Sequence, residues 1–253
     1  MLARRPWITA TLASLAALGL PRVARAAAQP RVLLLGDSMI AGALGLFLER
    51  GLRAAGHDVH RRAKSSTGLA RPDFFNWMKE ARAQVEAFPD ADGVIVMFGG
   101  NDVQGLRMPE RKWIRWPDEG WAEEYARRVN EFADIVAPPG TKLYWIGMPV
   151  MRPEKFHARI QRVNTIYRAE MAIRPDARFV DIWRLLADES GAYTHHVEID
   201  GKRTRVRAGD GIHLSPAGAH VVEAHVRGVV VGELGGNTPP AAGVPESDAD
   251  SEP

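Results

Sequence analysis

The chain has 253 residues, 45% of them hydrophobic, which is enough for one sizeable core and leaves one or two domains open on length alone. Cysteine is absent, which excludes disulfides, thiolate metal sites, a cysteine nucleophile and a lipid-anchored cysteine. The formal charge is +2, and removing residues 1–26 takes away four arginines (Arg4, Arg5, Arg22, Arg25) and no acid, which turns it to −2. Such a near-neutral body offers no electrostatic case for nucleic-acid binding.

The first 28 residues read as an export signal. Arg4 and Arg5 form a basic start, Trp7 to Leu20 is mostly apolar, and Ala24-Arg25-Ala26 is a small-x-small cleavage site. The apolar stretch falls short of the about 20 residues that span a bilayer. The expectation is therefore cleavage after Ala26, a periplasmic or secreted protein, and no stable membrane anchor. Residues 29–236 read as one domain. The segment 237–253, rich in Pro, Ala and acids, is expected to be a disordered tail.

Along the domain, short apolar runs alternate with helical patterns. Arg31 to Leu35 reads as a buried strand, and Gly36-Asp37-Ser38-Met39 follows it. Ile40, Leu44, Phe47, Leu48 and Leu52 then repeat at helical spacing. Val59 marks a second strand, before Ser66-Thr67-Gly68-Leu69. Gly93 to Phe98 is the third, and it runs into Gly99-Gly100-Asn101-Asp102. The connection from Val103 to Gly120 is long, carries Trp113 and Trp116, and is of the length that is functional or disordered.

Trp121, Tyr125, Val129, Phe132 and Val136 mark the next helix. A strand at Leu143 to Ile146 leads into Met148-Pro149, which faces the same rim and is a candidate pocket residue. A helix on Phe156, Ile160, Val163, Tyr167 and Met171 precedes a strand at Phe179 to Ile182. Val197 to Arg207 reads as a hairpin turning at Asp200-Gly201. After Asp210-Gly211-Ile212-His213, Ser215-Pro216 opens the last helix with a capping hydroxyl and a first-turn proline.

Buried apolar strands separated by helices predict a three-layer α/β/α sandwich, a flavodoxin-like doubly wound parallel sheet. Ligands bind such sheets at the carboxyl ends of the strands, which puts Ser38 and Asn101 on one rim. Ser38 serves there as a helix cap or as a nucleophile. A histidine alone says little, but Asp210 three residues before His213 can hold one imidazole nitrogen while the other faces Ser38. Asn101 closes a turn or offers an amide to an oxyanion. Asp37 and Asp102 read as braces for their loops. Trp113 and Trp116 either stack against a sugar, cover the cleft as a lid, or pack the long loop onto the body. His195 and His196 point to opposite faces of a strand, so no metal site is expected, and no cofactor.

In this order the four blocks resemble the SGNH (GDSL-type) hydrolases, over roughly Arg31 to Val231. The matching residues are Ser38, Gly68, Asn101 and His213, with Met39 where that family's first block has leucine. The resemblance is to a bacterial periplasmic branch whose substrates are mostly unassigned. It implies catalysis by Ser38, Asp210 and His213, with the N–H groups of Ser38 and Gly68 and the Asn101 amide as oxyanion hole. Trp113, Trp116 and Met148 are candidate substrate contacts. The expected activity is a serine esterase acting on O-acyl groups, acetyl above all, of envelope or extracellular glycans. An O-acyltransferase, a lipase or thioesterase, and a non-catalytic glycan-binding module are the alternatives. A nucleotide or flavin protein is disfavoured, because Gly36-Asp37-Ser38 puts an acid where a phosphate would sit.

Overall fold

A computed structural model describes residues 29–237. The expected export segment, and the tail from residue 238 onward, lie outside the described residues. Within them, a five-stranded sheet is formed by β1 (Arg31–Gly36), β2 (Asp58–Ala63), β3 (Gly93–Met97), β6 (Lys142–Ile146) and β7 (Ala177–Val180), all parallel, in the order β2-β1-β3-β6-β7. The two-stranded ribbons β4 (Leu106–Arg107)/β5 (Trp113–Ile114) and β8 (His196–Ile199)/β9 (Lys202–Arg205) stand apart from it. This is the three-layer α/β/α sandwich that the alternation of apolar runs predicts.

The strands are parallel because both faces are covered. Val32 to Leu35 of β1 and Val94 to Met97 of β3 are fully buried, and each such aliphatic side chain contributes about 1.5–3 kcal/mol by leaving water. On one face α2 (Ala43–Ala54) packs against α6 (Pro216–Leu234). The other face carries α3 (Trp77–Ala87), α4 (Trp121–Val136) and α5 (Glu154–Ala172), packed side by side. Between that layer and the sheet, Trp77, Phe98, Phe132 and Trp145 meet edge to face, with ring centroids 4.8–6.4 Å apart.

Three local departures from the sequence reading have physical causes. The helix expected after Ser38 is broken into α1 (Ser38–Ala41) and α2 by Gly42, whose backbone is extended. The break folds α2 back so closely that a Cβ on Gly45 would lie 1.9 Å from the Ile40 carbonyl oxygen, so only glycine fits. Next, β7 ends at Val180 rather than Ile182, because the Asp181 carboxylate accepts the Trp183 N–H and turns the chain. Finally, α3 has no counterpart among the expected helices. It is capped by Asn76, whose side chain accepts from the Lys79 N–H. The hairpin is as expected, with Asp200 and Gly201 both at positive φ in its turn.

Candidate active site

The carboxyl ends of β1, β2 and β3 deliver three loops to one rim. Ser38 is the first residue of α1, and Asp37 caps that turn by accepting the Met39 N–H at 3.0 Å. Ser38 Oγ lies 2.9 Å from His213 Nε2, and His213 Nδ1 lies 2.7 Å from Asp210 Oδ2. The other Asp210 oxygen accepts the N–H groups of Ile212 and His213 at 2.8 and 2.9 Å. Partial burial pushes the Asp210 carboxyl up, but the His213 ring and those two N–H groups outweigh it and hold it at about 2. The pair is half open to solvent, with side chains 46% and 43% exposed. The structure thus joins Ser38, His213 and Asp210 in one relay.

The turn that makes this relay depends on Gly211. It sits at φ +73°, and a Cβ there would lie 2.6–2.7 Å from Arg152 side-chain atoms. Its carbonyl accepts the Arg152 N–H at 3.1 Å, and the Ala208 N–H closes the loop on the His213 carbonyl at 2.9 Å.

Asn101 and Gly68 stand on the loops that follow β3 and β2. Asn101 Nδ2 donates to the Thr67 carbonyl at 2.9 Å and, at a long 3.4 Å, to Asp37 Oδ2. Among the described residues no protein acceptor takes up the N–H of Ser38 or of Gly68. Gly68 rests on the Asp102 carboxylate, where a Cβ would come within 2.2 Å of Oδ1.

Asp37 and Asp102 both brace loops, as their place in the sequence suggests. Asp37 is wholly buried, and desolvation drives its carboxyl up to about 7 against the pull of the Met39 N–H. Asp102 Oδ1 accepts the Ala70 N–H at 2.7 Å, and its Oδ2 accepts the Tyr125 hydroxyl at 2.7 Å. Tyr125 lies 2.7 Å from the hydroxyl of Tyr167 on α5. Burial raises Asp102 and holds both phenols well above their usual range.

Three supporting residues carry no signal in the sequence. Thr67 donates to the Lys64 carbonyl at 2.6 Å and accepts the Trp77 indole N–H at 2.9 Å. Arg128, on α4, donates to the carbonyls of Leu69, Ala70 and Arg107 and pairs with Glu124 at 2.8 Å. Arg207 is buried beneath the His213 loop, and desolvation lowers its guanidinium to about 10.

The candidate substrate contacts separate. Trp113 is 45% exposed and flanked by the guanidinium groups of Arg71 and Arg107, each 5.0 Å from its ring centre. Trp116 instead packs edge-on against Trp121 at 4.2 Å and anchors the long loop. Met148 is 1% exposed and does not face a pocket. It turns inward beneath the glycine turn, where a Cβ on Gly99 would lie 2.6 Å from its Cγ. Asn164 fixes it there by bonding both its N–H and its carbonyl at 2.8 Å.

A cavity of about 230 Å³ opens beside Gly68 and Asn101, lined also by Ser66, Arg71, Phe74 and Gln104. A larger one of about 690 Å³ lies on the α3–α4 side of the Gly68–Leu69 segment, and none of Ser38, Asp210 or His213 lines either cavity. Among the described residues no group of three or more His, Asp or Glu is placed to hold a metal ion, and no helix is long and apolar enough to cross a membrane.

A family described as "Protein of unknown function (DUF459)" matches residues 31–228. No curated protein matches the chain. Among solved structures, a carbohydrate acetylesterase family member from Sinorhizobium meliloti is 18% identical with a TM-score of 0.55, over 82% of this chain and 100% of that one. An aryl esterase from M. smegmatis is 16% identical with a TM-score of 0.55, over 80% and 99%. A catalytic mutant of an acetylxylan esterase from Geobacillus stearothermophilus is 15% identical with a TM-score of 0.54, over 83% and 95%. These likenesses are of fold, and the fold is the SGNH type.

Proposed function

This chain belongs to DUF459, and we propose that it is a serine esterase that removes small acyl groups, acetyl above all, from glycans of the cell envelope or its surroundings. The observation that carries this reading is the unbroken relay from Ser38 Oγ through His213 to Asp210. Ser38 Oγ attacks the ester carbonyl as His213 Nε2 takes its proton, and Asp210 stabilises the imidazolium that forms. The developing oxyanion faces the unclaimed N–H groups of Ser38 and Gly68. It also exchanges for Asp37 on Asn101 Nδ2, whose 3.4 Å contact is long enough to give up.

His213 then returns the proton to the departing alcohol and leaves an acyl-serine. Water completes hydrolysis, and a sugar hydroxyl in its place would give acyl transfer from the same intermediate. The glycan part of the reading is supported by the carbohydrate acetylesterase and acetylxylan esterase that share this fold, and by exposed Trp113 stacked on Arg71, which lines the 230 Å³ cleft. The export signal read in residues 1–28 supports a periplasmic or secreted location.

The test is a stopped-flow burst with an aryl acetate, followed by acetate release from acetylated xylan with and without an added oligosaccharide acceptor. Wild type should show an acyl-serine burst, and Ser38→Ala should fold normally yet retain less than about one-tenth of the rate. A folded Ser38→Ala variant that keeps wild-type turnover would refute the assignment.

A further inference from the structure

A charged side chain packed against the relay that takes no part in the chemistry is Arg207. It is 0% exposed, and among the described residues no carboxylate pairs with it. A buried charge without an acid is costly unless its nitrogens find acceptors, and here each guanidinium nitrogen reaches a carbonyl. Nε donates to the His213 carbonyl at 3.4 Å, and Nη2 donates to the carbonyls of Ile212 at 2.9 Å and Gly211 at 3.4 Å. Nη1 reaches across to the carbonyl of Val150, in the loop that follows β6. The guanidinium plane lies 4.9 Å from the Tyr193 ring centre, which closes it from above.

The three residues whose carbonyls it gathers on one side are the last three of the tetrapeptide that carries the base. The carbonyl on the other side belongs to a loop that is itself fixed to α5, because Asn164 bonds both backbone groups of Met148. A planar fork with five donors can hold two loops at a set separation, whereas a point cation cannot.

We infer that Arg207 is a positioning residue for the general base: it sets the His213 loop against the β6–α5 loop, so that His213 Nε2 stays within reach of Ser38 Oγ. The inference rests on the serine-esterase reading. Arg207 touches no substrate, so its loss should act on kcat and leave KM nearly alone.

The experiment compares the full-length protein with Arg207→Met and Arg207→Lys. It uses aryl acetate turnover per mole of folded protein, with the folded fraction taken from the cooperative thermal transition. Arg207→Met should lose about 100-fold in kcat, as a misplacement of about 1 Å can produce, with KM changed by less than about threefold. Arg207→Lys keeps the charge and part of the bonding, and should recover about tenfold of that loss. Folded variants with wild-type kcat, however unstable, would give Arg207 a purely structural part and overturn the inference. So would failure of both variants to fold, which makes Arg207 a determinant of the fold rather than of the base. Wild-type protein without an acyl-serine burst would instead remove the esterase reading on which the inference stands.

Discussion

Asp37 should make the stability of this protein fall as the solution turns from acid to neutral. Its carboxyl is wholly buried beside Ser38, and burial raises it from 3.8 to about 7. The native state therefore holds the proton over a range in which the unfolded chain has released it. Below about pH 4 both states are protonated and Asp37 is neutral in the balance. Between about pH 4 and 7 stability declines, and above pH 7 the loss is complete. At about 1.36 kcal/mol per pH unit, the range from 3.8 to about 7 amounts to a loss of about 4 kcal/mol.

Asp37→Asn removes that titration while keeping a carbonyl oxygen for the Met39 N–H, and it forfeits only the 3.4 Å contact with Asn101. Urea unfolding of both proteins, followed by tryptophan fluorescence from pH 4 to 8, isolates the effect, since every other titrating group is common to the two. Relative to wild type, the variant should gain about 4 kcal/mol across the range. A stability difference that stays constant within about 1 kcal/mol from pH 4 to 8 would refute the reasoning.

Other consequences are equally direct. Tyr125→Phe strips the hydroxyl that joins Asp102 to Tyr167. At about 1–3 kcal/mol for each buried group left unsatisfied, calorimetry should show a melting temperature lowered by several degrees. Gly68→Ala would drive a methyl into the Asp102 carboxylate. It should cut kcat by about 10²-fold through displacement of one oxyanion donor, measured beside a fold check by circular dichroism. His213→Ala and the double variant Asp210→Asn/His213→Ala should lose nearly the same rate, because the two residues act as one unit, and strictly additive losses would break that unit apart.

Much of the architecture was written in the periodicities. Four successive buried residues in β1, and the matching run in β3, can only be strands covered on both faces, and the parallel sheet follows. The candidate relay was legible for a different reason: local geometry left Ser38 and Asn101 open, and the order of four blocks with Asp210 three residues before His213 suggested their roles. What escaped was tertiary in origin. Arg128 and Arg207 look in sequence like any of the 33 basic residues, and only the folded chain places carbonyls around them. Met148 follows β6 as a rim residue should, yet Asn164 on the helix that follows turns it under the glycine turn. In α3, only Trp77 and Ala81 are fully buried among many charges, so its apolar stripe is too thin to read.

The loop between β6 and α5 has a role that neither half of the relay reveals alone. Through Met148 it shores up the turn that leads to Asn101, and through Val150 and Arg152 it bears the segment that carries His213. The residues proposed as oxyanion donor and base, Asn101 and His213, lie more than a hundred positions apart, yet both lean on this one abutment. A displacement of that loop would move the turn before Asn101 and the His213 segment together, and would shift both against Ser38, which stands on a different loop. Under the proposed esterase reading, a substitution in that loop would therefore disturb the proposed donor and base at once rather than one at a time.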